Sequence, residues 1–504
     1  KIITQVFLYK FMNDKFIHEL KKEDKALADN DNLEESLTQM SENDYGMLMM
    51  SLDENTARLK PEHFISSLFQ RQNENNFSTI FDDTLLSIAS LNSDIFSVLT
   101  EGGEKIVLFE NISKYVTDKR DEFCKAIINK LINFSFENIF HEKFDFYATI
   151  FEYLIKDYNT NSGGKYAEYF TPHAVAKIMA RCMVQGDVQN VTCYDPSAGS
   201  GTLLMNLAHA IGEDKCTIYS QDISQKSSNL LRLNLILNDL VHSIPNIVKG
   251  NTILEPYHKE GGELRKFDYI VSNPPFKLDF SDYREDLDSK ENNDRFFAGV
   301  PAIPKQEKDG MKIYTLFLQH ILHSMRRTGK GAVVVPTGFL SSAEGIDKNI
   351  RKKIVEKKWV TGVVCMPSNI FANTSTNISI LFLDKDNKDD AILINASKLG
   401  KKIKDGNNQR TVLTQAEEAV IIETFLSKEN KEKFSVKVAH EQIQSKKYTL
   451  SPAQFFEVSY NYKEIDADEF KRRLLDHEKN IQELFIESSS LEKRISENLK
   501  SLEV

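Results

Sequence analysis

The chain has 504 residues, of which 41% are hydrophobic and 27% charged, and its formal net charge at pH 7 is −10. This length exceeds one ordinary domain, and the composition is that of a soluble globular protein. Proteins that grip nucleic acid alone are usually basic, so the acidic balance predicts either a local basic groove or a partner that makes most of the phosphate contacts.

Targeting and redox signals predict a cytoplasmic protein. No run approaches the roughly eighteen apolar residues of a membrane span, and the first residues lack the grammar of a signal peptide. The chain does not begin with Met, so we expect some natural N-terminus to precede it. The five cysteines are scattered without paired spacing, which favours a reducing compartment and disfavours zinc. They are Cys124, Cys182, Cys193, Cys216 and Cys365.

Residues 1–135 predict a separate all-α domain. Apolar side chains recur every four residues, as in Ile3, Phe7 and Phe11. Such stripes form the buried faces of helices. Glycine is scarce here and no strand–helix–strand alternation appears, so these stripes predict a helical core and say nothing about ligands.

Residues 168–173 predict the start of a helix that continues over Ala174–Met183. They are Glu168, Tyr169, Phe170, Thr171, Pro172 and His173. A second helix, over Phe146–Tyr158, and a glycine-bearing loop precede them. Thr171 is predicted as the N-cap and Pro172 as the first helical residue. The free N–H groups of such a helix start suit a carboxylate, and a capped helix without a ligand is the alternative.

A strand predicted over Asn190–Tyr194 is followed by a turn of small residues and a helix over Thr202–Ile211. The turn reads Asp195-Pro196-Ser197-Ala198-Gly199-Ser200-Gly201. An acidic residue and a small-residue turn between strand and helix let the backbone approach a ligand closely. The dinucleotide fingerprint G-x-G-x-x-G is absent, which disfavours a nicotinamide or flavin cofactor.

Two further strand ends carry polar residues. The strand Thr217–Gln221 ends at Asp222, roughly 20 residues past the glycine turn, where a ribose diol is usually held. A helix N-cap is the alternative for Asp222 taken alone. A third strand begins at Ile247 and is followed by Asn251, a candidate for an adenine pocket that is also a common turn residue.

The run from Phe267 to Phe276 organises the chain. Its first part is apolar and β-prone, which predicts a buried strand. The strand stops at Asn273-Pro274-Pro275-Phe276, because consecutive prolines cannot continue a ladder. An amide, two rigid rings and an aromatic ring at a strand's carboxyl end suit a flat base with an exocyclic amine. The alternative is a proline-rich turn with a half-buried Phe.

Residues 277–312 are charged and aperiodic and predict a mobile loop over the site. A helix is expected around Tyr314–Arg326, followed by a strand over Ala332–Val335. His320 and His323 lie on that helix, but no third ligand accompanies them, so no metal site is predicted.

The runs Val360–Cys365 and Ile378–Leu383 predict an antiparallel hairpin at the sheet edge, and residues 386–460 have no clear pattern. The last forty residues carry a heptad pattern with imperfect seams. Its positions are Leu474, Ile481, Ser488, Ile495 and Leu502, with Leu484 and Leu491 between them. We favour partner binding by this tail, and an amphipathic helix packed on its own domain is the alternative.

With the 195–201 turn before Asn-Pro-Pro-Phe, the chain resembles S-adenosylmethionine-dependent amino-methyltransferases, in the gamma order of adenine-N6 DNA methyltransferases. More narrowly, it resembles the modification (M, methyltransferase) subunit of type I restriction–modification systems. Four features carry that resemblance, namely Glu168–Pro172, Val333–Gly338, Asn369-Ile370-Phe371 and the helical segments at both ends. It spans nearly the whole chain. Position 251 is Asn where many methyltransferases carry Asp, so the adenine pocket departs from the pattern.

The resemblance implies an α/β fold, a Rossmann-like methyltransferase sheet with an N-terminal all-α domain and a C-terminal helical or coiled-coil tail. The implied domains are 1–135, 136–400 for catalysis, and 401–504 for subunit association. It also implies a prokaryotic cytoplasmic enzyme. The implied partners are a specificity (S) subunit through which it meets double-stranded DNA, a restriction (R) subunit and a second M subunit.

Roles of the residues follow from the same resemblance. Phe276 stacks on a flipped adenine, and the carbonyls of Asn273 and Pro274 accept its N6 protons. The cofactor S-adenosylmethionine is held by residues 195–201 at its methionine portion, by Asp222 at its ribose and by residues 168–173 at its amino-acid end. No Pro-Cys dipeptide for carbon methylation occurs.

Three alternatives are weighed against this prediction. RNA-guanine and protein-glutamine N-methyltransferases share Asn-Pro-Pro-aromatic, but they are usually shorter and lack the Tyr-Phe-Thr-Pro segment. A scaffold subunit that binds the cofactor and the specificity subunit without catalysing methyl transfer would not need Asn273 and Phe276. A single-chain restriction–modification enzyme would need nuclease and target-recognition segments, which are not evident.

Overall fold

The computed structural model describes residues 2–23, 25–28, 30, 32–137, 140, 171–371, 376–405, 408–456 and 466–500. Glu168, Tyr169 and Phe170, together with the helix predicted over 146–158, lie outside the described residues. The chain divides into two compact units, Lys1–Phe456 and Glu457–Val504. Among the described helices, none is both long and apolar enough to cross a membrane.

The strands are numbered in chain order. They are β1 (Val98–Thr100), β2 (Lys105–Ile106), β3 (Val191–Asp195), β4 (Cys216–Asp222), β5 (Ile247–Lys249), β6 (Lys259–Glu260), β7 (Glu263–Leu264), β8 (Phe267–Ser272), β9 (Met325–Pro336), β10 (Val360–Cys365), β11 (Ile378–Asp384), β12 (Ala391–Asn395), β13 (Lys401–Asp405), β14 (Asn408–Val412) and β15 (Ser435–Val438). β6–β7 and β13–β14 form separate two-stranded ribbons, and the other strands form one eleven-stranded sheet.

The helices flank this sheet and fill the N-terminal region. Before the sheet core they span Ile2–Glu23, Lys25–Ala28, Leu33–Thr38, Glu42–Ser51, Ile65–Arg71, Phe77–Leu91, Ser93–Phe96 and Arg120–Leu131. From there on they span His173–Met183, Thr202–Ile211, Gln225–Leu237, Arg284–Leu287, Tyr314–Ser324, Gly345–Glu356, Gln415–Ser427, His440–Ser445 and Ala467–Lys500.

The order of the large sheet is β2-β1-β5-β4-β3-β8-β9-β11-β10-β12-β15. β1, β5, β4, β3, β8 and β9 are mutually parallel, β11 is antiparallel to both of its neighbours, and β12 is parallel to β10. The carboxyl ends of β3, β4, β5, β8, β9, β10 and β12 therefore lie along one edge, which we call the carboxyl edge. Open α/β sheets bind ligands at this edge.

Helices cover both faces of the sheet. In β9, Ala332 and Val334 pack into one hydrophobic cluster, while Val333 and Val335 pack into the other. Successive side chains of a strand point to opposite faces, so a strand covered on both sides is apolar throughout. This is why Tyr269–Val271 in β8 and Ala332–Val335 in β9 form continuous apolar runs. The predicted α/β methyltransferase-type sheet is confirmed.

The N-terminal region is helical, as predicted, but it also contributes two strands to the sheet. β1 runs parallel to β5, with Leu99 opposite Val248. The buried Arg232 guanidinium donates to backbone carbonyls of this region, including those of Phe96 and Ile106 at 3.1 and 3.0 Å. Strands of two or three residues are too short to form a sequence pattern, so these two were missed. The domain limits at 135 and 400 stay predictions.

Residues 277–312, expected as a loop without regular structure, are packed instead. Phe280, Leu287 and Phe296 form a hydrophobic cluster with Ile253 from beyond β5 and Leu316 from the following helix. Short helical turns span Ser281–Tyr283, Arg284–Leu287, Lys290–Asn292 and Lys308–Gly310. The sequence did not reveal this core. The segment is rich in charged residues, and its apolar residues are too widely spaced to show a helical or strand periodicity.

Three other predicted elements differ in their limits. The helix starting at Tyr314 ends at Ser324, because β9 begins at Met325. β10 and β11 pair antiparallel as predicted, yet they are internal, since β12 and β15 continue the sheet beyond β10. β12–β15 lie in the region that had no clear pattern.

In the described part of the C-terminal unit, residues 466–500, the chain forms the helix Ala467–Lys500, none of whose residues is buried. Apolar heptad side chains such as Ile481 and Leu484 are 51% and 63% exposed. The predicted helical tail is confirmed.

Candidate functional site

The site begins where β3 and β8 lie side by side in the sheet. From this pair the connections run outward in opposite directions, toward β4 on one side and β9 on the other. Such a switch point leaves a crevice at the carboxyl edge. Asp195 ends β3 and Asn273 follows β8. The two hydroxyl oxygens of Ser197 and Ser272 lie 2.7 Å apart and join the two strand ends.

Asn273 is fixed by a hydrogen bond from its side-chain amide. Nδ2 donates to the Thr171 hydroxyl at 3.1 Å. The carbonyl oxygen Oδ1 is left as an acceptor, with no donor placed on it among the described residues. Pro274 is buried, whereas Asn273, Pro275 and Phe276 are partly exposed at the carboxyl edge. The motif therefore presents an acceptor and an aromatic ring at the crevice.

Thr171 has a different role from the one predicted. The helix begins at His173 with Pro172 as N-cap, at φ −56° and ψ 139°. The Pro172 carbonyl accepts from the amides of Val175 and Ala176 at 3.0 and 3.1 Å. The prediction of Thr171 as N-cap is wrong, because its buried hydroxyl is used by Asn273. The contact joins residues 102 apart, and no pattern in the sequence signals it.

The turn after β3 needs its glycines. Gly199 and Gly201 have φ of 53° and 85°. A Cβ on Gly201 would lie 2.2 Å from Cδ1 of Leu231. Asp195 Oδ1 accepts from the Ser197 amide at 2.9 Å, which closes the turn's start. Ala198 and Ser200 are buried within the turn. The backbone thus reaches the crevice closely, as the sequence predicted.

Asp222 links the first turn to the second strand. Its Oδ2 accepts from the Gly199 amide at 2.9 Å and its Oδ1 from the Ser224 amide at 2.8 Å. The alternative of a helix N-cap fails, because Ser224 caps the helix Gln225–Leu237 by accepting from Ser227. Both acids of the crevice therefore stand at strand ends, on neighbouring strands.

Burial disfavours negative charge at these two acids. The pKa of Asp195 is raised to about 7, chiefly by burial; the hydrogen bond from the Ser197 amide opposes this rise, and the nearby Asp222 carboxylate contributes to it. Burial also raises the pKa of Asp222, against hydrogen bonds from Ser224 and Gly199. A cation placed between the two would favour their ionised forms. The crevice is suited to a positively charged ligand.

The side-chain oxygen of Asn251 accepts hydrogen bonds within its own turn. Oδ1 accepts from the amides of Ile253 and Leu254 at 3.1 and 3.2 Å, which closes the turn after β5. Its backbone amide donates to Oε2 of Glu101 at 2.8 Å. A Cβ on Gly250 would lie 2.3 Å from that same oxygen. No pattern in the sequence signals Glu101, which comes from the end of β1, 150 residues earlier.

Phe276 is supported by other aromatic side chains. Its ring packs edge-to-face against the ring of Tyr314, with the ring centroids 6.3 Å apart. The rings of Tyr314 and Phe339 pack in the same way, with their centroids also 6.3 Å apart. The Tyr314 hydroxyl donates to Asp347 Oδ1 at 2.6 Å, and burial raises the pKa of this phenol. Phe276 packs against both core clusters while part of it stays exposed. Its position is therefore set by the core.

Two histidines named in the sequence analysis have partners within the protein. The Nδ1 atom of His173 lies 3.4 Å from Nδ2 of Asn206, on the helix after the glycine turn. Arg295 Nε donates to His320 Nδ1 at 3.1 Å, and His320 Nε2 lies 3.2 Å from the Tyr194 hydroxyl. Both His320 nitrogens are thus used within the protein. Burial lowers the pKa of His320 well below its ordinary value.

A family profile described as N-6 DNA Methylase matches residues 142–464. This is more than half of the chain, and it contains both strand-end acids and the Asn-Pro-Pro-Phe motif. The chain belongs to the N-6 DNA methylase family. The predicted family and the predicted enzyme class, an adenine-specific DNA methyltransferase, are confirmed.

Curated relatives of this N-6 DNA methylase are methylase subunits. The type I restriction enzyme MpnII methylase subunit of Mycoplasma pneumoniae is 27% identical over 76% of this chain and 69% of its own length. The HindI methylase subunit of Haemophilus influenzae is 22% identical over 82% of this chain and 93% of its own.

A solved structure shares the methylase fold. The type I restriction-modification methyltransferase subunit of Streptococcus thermophilus superposes with a TM-score of 0.70, at 24% identity, over 90% of this chain and 93% of that one. The resemblance to type I methylase subunits, drawn from motifs, thus agrees with independent sequence and fold similarity.

Proposed function

We propose that this chain is the modification subunit of a type I restriction–modification system. It transfers a methyl group from S-adenosylmethionine to the N6 amine of an adenine flipped out of double-stranded DNA. The observation that carries the proposal is the hydrogen bond from Asn273 Nδ2 to Thr171, which leaves Oδ1 as an acceptor at the switch point. An acceptor is what an exocyclic amine requires.

The donor set fits the cofactor. S-adenosylmethionine, when bound, supplies an activated methyl group on a positively charged sulfonium. Asp195 and Asp222 provide negative charge at adjacent strand ends, and Asp222 is assigned to the ribose diol. Residues 195–201 are assigned to the methionine portion and residues 168–173 to its amino-acid end. Asn251 Oδ1 is used locally, so its Nδ2 is the atom assigned to the adenine.

The catalytic residues act by positioning the base. The carbonyls of Asn273 and Pro274 accept hydrogen bonds from the two N6–H groups, which directs the nitrogen lone pair toward the methyl group. Pro274 and Pro275 have no N–H, so the motif offers acceptors where donors would repel the amine. Phe276 stacks on the flipped base, a contact worth about 1–3 kcal/mol. The base must leave the duplex because its amine is otherwise paired.

No covalent intermediate is required by this chemistry. An amine is itself the nucleophile, unlike the ring carbon of a pyrimidine. The five cysteines are all buried, and burial raises the pKa of Cys124 to about 12, so its thiol is a poor nucleophile.

The proposal assigns target recognition to partners. A separate specificity subunit would read the DNA, and a second M subunit and a restriction subunit would complete the assembly. The net charge of −10 supports this division, since it disfavours DNA binding by the chain alone. The exposed heptad side chains of Ala467–Lys500 support helix-to-helix association with the specificity subunit.

The test is methyl transfer from labelled S-adenosylmethionine to DNA, with and without the co-expressed specificity subunit. We expect site-specific N6-methyladenine only with the partner. Asn273→Ala should lower the rate about 100-fold or more while labelled cofactor still binds. Transfer by the lone chain would point to a self-sufficient DNA methyltransferase. Label in RNA or protein, with none in DNA, would refute the DNA assignment.

The Thr171 contact provides a matched pair of variants for the same assay. Thr171→Val removes the acceptor that orients Asn273, so the single-turnover rate at saturating cofactor should fall about tenfold. Thr171→Ser keeps the hydroxyl and should restore the rate. Equal rates for the Val variant and the parent would show that Thr171 does not position Asn273.

A further inference from the structure

The ribbon β13–β14 lies in a basic segment of an acidic chain. Residues 398–410 carry a net charge of +4, against −10 for the whole chain. The cations are Lys398, Lys401, Lys402, Lys404 and Arg410. We call residues 398–405 and 408–412 the basic hairpin. The four lysines are exposed. Among the described side chains, none of these five cations forms an ion pair. A nearby ion pair, Lys177–Glu418, involves none of them.

The base of the basic hairpin is fixed to the carboxyl edge. It follows β12, which ends at that edge beside β10. The Thr411 amide and hydroxyl donate to the carbonyls of Asn369 and Ser368 at 2.8 and 2.6 Å, in the segment that follows β10. The Gly400 amide donates to Glu417 Oε1 at 2.8 Å. The hairpin is therefore held at the carboxyl edge of the sheet, the same edge at which Asn273 lies.

Contacts through two helices join the hairpin base to the catalytic motif. Glu417 lies in the first turn of the helix Gln415–Ser427, and its neighbour Glu418 forms an ion pair of 3.0 Å with Lys177. Lys177 lies on the helix His173–Met183, which follows the Thr171 that binds Asn273. The hairpin and the target-base position thus belong to one packed unit.

The strand order sets the spacing between the base of the basic hairpin and the catalytic motif after β8. β12 is the fourth strand from β8 along the sheet. Neighbouring strands lie about 4.8 Å apart, so the hairpin base is about 20 Å from the end of β8. That distance corresponds to about six base pairs of B-DNA. A duplex whose base has entered the crevice would pass the hairpin on one flank.

The cations lie on both faces of the ribbon. Lys402 and Lys404 share one face, because alternate residues of a strand point the same way. Arg410 is opposite Ile403 and shares the other face with Lys401. A two-stranded ribbon is narrow enough to enter a major groove, whose walls carry phosphates on both sides. Lysine suits such contacts as a point charge without base selectivity.

We propose that the basic hairpin binds the phosphate backbone of duplex DNA on one flank of the target adenine. The proposal rests on the proposed function, since it takes duplex DNA as the substrate. The hairpin supplies sequence-independent affinity and orients the duplex, while the specificity subunit selects the site.

The test uses the assembled complex with the specificity subunit and a duplex containing its target. The variant Lys401→Gln/Lys402→Gln/Lys404→Gln changes only exposed side chains. It should weaken DNA binding about tenfold or more near physiological salt, and flatten the dependence of log K on log salt by about 0.9 for each phosphate that the variant no longer neutralises. The methylation rate at saturating DNA should stay unchanged, because these residues do not touch the base.

The matched control removes three exposed cations at the opposite edge of the sheet. It is Arg327→Gln/Lys357→Gln/Lys388→Gln, with changes near the start of β9, before β10 and after β11. Equal affinity and equal salt slope in the two triple variants would overturn the proposal. Loss of subunit association with unchanged DNA affinity would also overturn it, by assigning the hairpin to an acidic protein face.

The binding readout separates this proposal from the proposed function. If the unaltered complex binds DNA but transfers no methyl group, the proposed function fails while the salt slopes still decide the role of the hairpin. If methyl transfer occurs and the slopes are equal, only the hairpin proposal fails.

Discussion

At the scale of single residues, two asparagines of the crevice each have one side-chain polar atom hydrogen-bonded within the protein. Asn273 uses its amide nitrogen on Thr171, and Asn251 uses its oxygen on its own turn. Each side chain is left with one kind of polar atom, an acceptor at Asn273 and a donor at Asn251. Fixing one end of an amide in this way removes the ambiguity of its orientation. Under the proposed function, the acceptor of Asn273 would face the N6 amine and the donor of Asn251 would face a ring nitrogen of the cofactor's adenine.

Asp195 gives a pH-dependent prediction. Its pKa is about 7 in the folded protein against an ordinary 3.8, and burial is the main cause. The folded state therefore holds this proton to higher pH than the unfolded state does. The stability that the group contributes is full below about pH 4 and is lost as pH rises through 7. For Asp195 alone this amounts to roughly 4 kcal/mol.

Thermal unfolding of the cofactor-free chain from pH 5 to pH 8 measures the effect. Asp195→Asn cannot ionise, so its Tm relative to the parent should rise with pH across this range. Its affinity for labelled S-adenosylmethionine should fall more than tenfold at pH 8 if the carboxylate holds a cationic ligand. The exposed Asp309→Asn serves as control. A Tm difference that does not change with pH would contradict the prediction.

At the scale of elements, the strand–turn–helix unit from β3 to Ile211 is specified by local chemistry. Its strand is buried on both sides, its acid ends the strand, and its glycines supply the positive φ that the turn requires. Tertiary packing adds a second constraint, because Leu231 of a different helix occupies the space beside Gly201. Gly201 is therefore required by both backbone conformation and packing.

Gly201→Ala tests this element. The added methyl meets Leu231 and φ stays at 85°, so we expect a loss of about 1–3 kcal/mol in urea unfolding and weaker cofactor binding. Gly201→Ala/Leu231→Ala should relieve the clash without relieving the φ strain. Gly338→Ala is the matched control, since nothing lies within 4 Å of its added Cβ. Equal stability of the Gly201 and Gly338 variants would refute the packing argument.

At the scale of the whole molecule, the N-terminal region and the catalytic sheet are one compact unit. Buried Arg232 holds backbone carbonyls of residues 96–108, and burial lowers the pKa of its guanidinium to about 10. Glu101 reaches the turn at Asn251 from the same region. The N-terminal region thus supports one end of the crevice, in addition to any role in assembly.

The C-terminal helix gives a prediction about assembly. Ile481→Asp/Leu484→Asp places charges on the heptad seam, so co-purification with the specificity subunit should be lost while the chain stays folded. Ile486 is also exposed but lies off the seam, so Ile486→Asp should leave association intact. The measurement is the amount of specificity subunit retained on the tagged chain. Loss of association by both variants, or by neither, would contradict a seam-specific contact.

The local patterns predicted most of the catalytic sheet. The strands ending at Asp195, Asp222 and Ser272 and the helix Thr202–Ile211 lie where the sequence placed them, within a residue. Each is a mostly buried run bounded by turn or capping residues, so local sequence patterns suffice to place it. β1, β2 and the strands beyond residue 386 were missed, because short or mixed strands gain their pairing from neighbours rather than from their own pattern.

The sequence by itself determined the class of chemistry, because a strand-end acid, a glycine turn and Asn-Pro-Pro-Phe are each written in adjacent residues. Only the tertiary structure decided how that chemistry is held. Thr171 meets Asn273 across 102 residues, Glu101 meets Asn251 across 150, and the basic hairpin meets the carboxyl edge through strand pairing. Such contacts depend on which elements the folded core brings together, and the hydrophobic effect that assembles the core is non-directional.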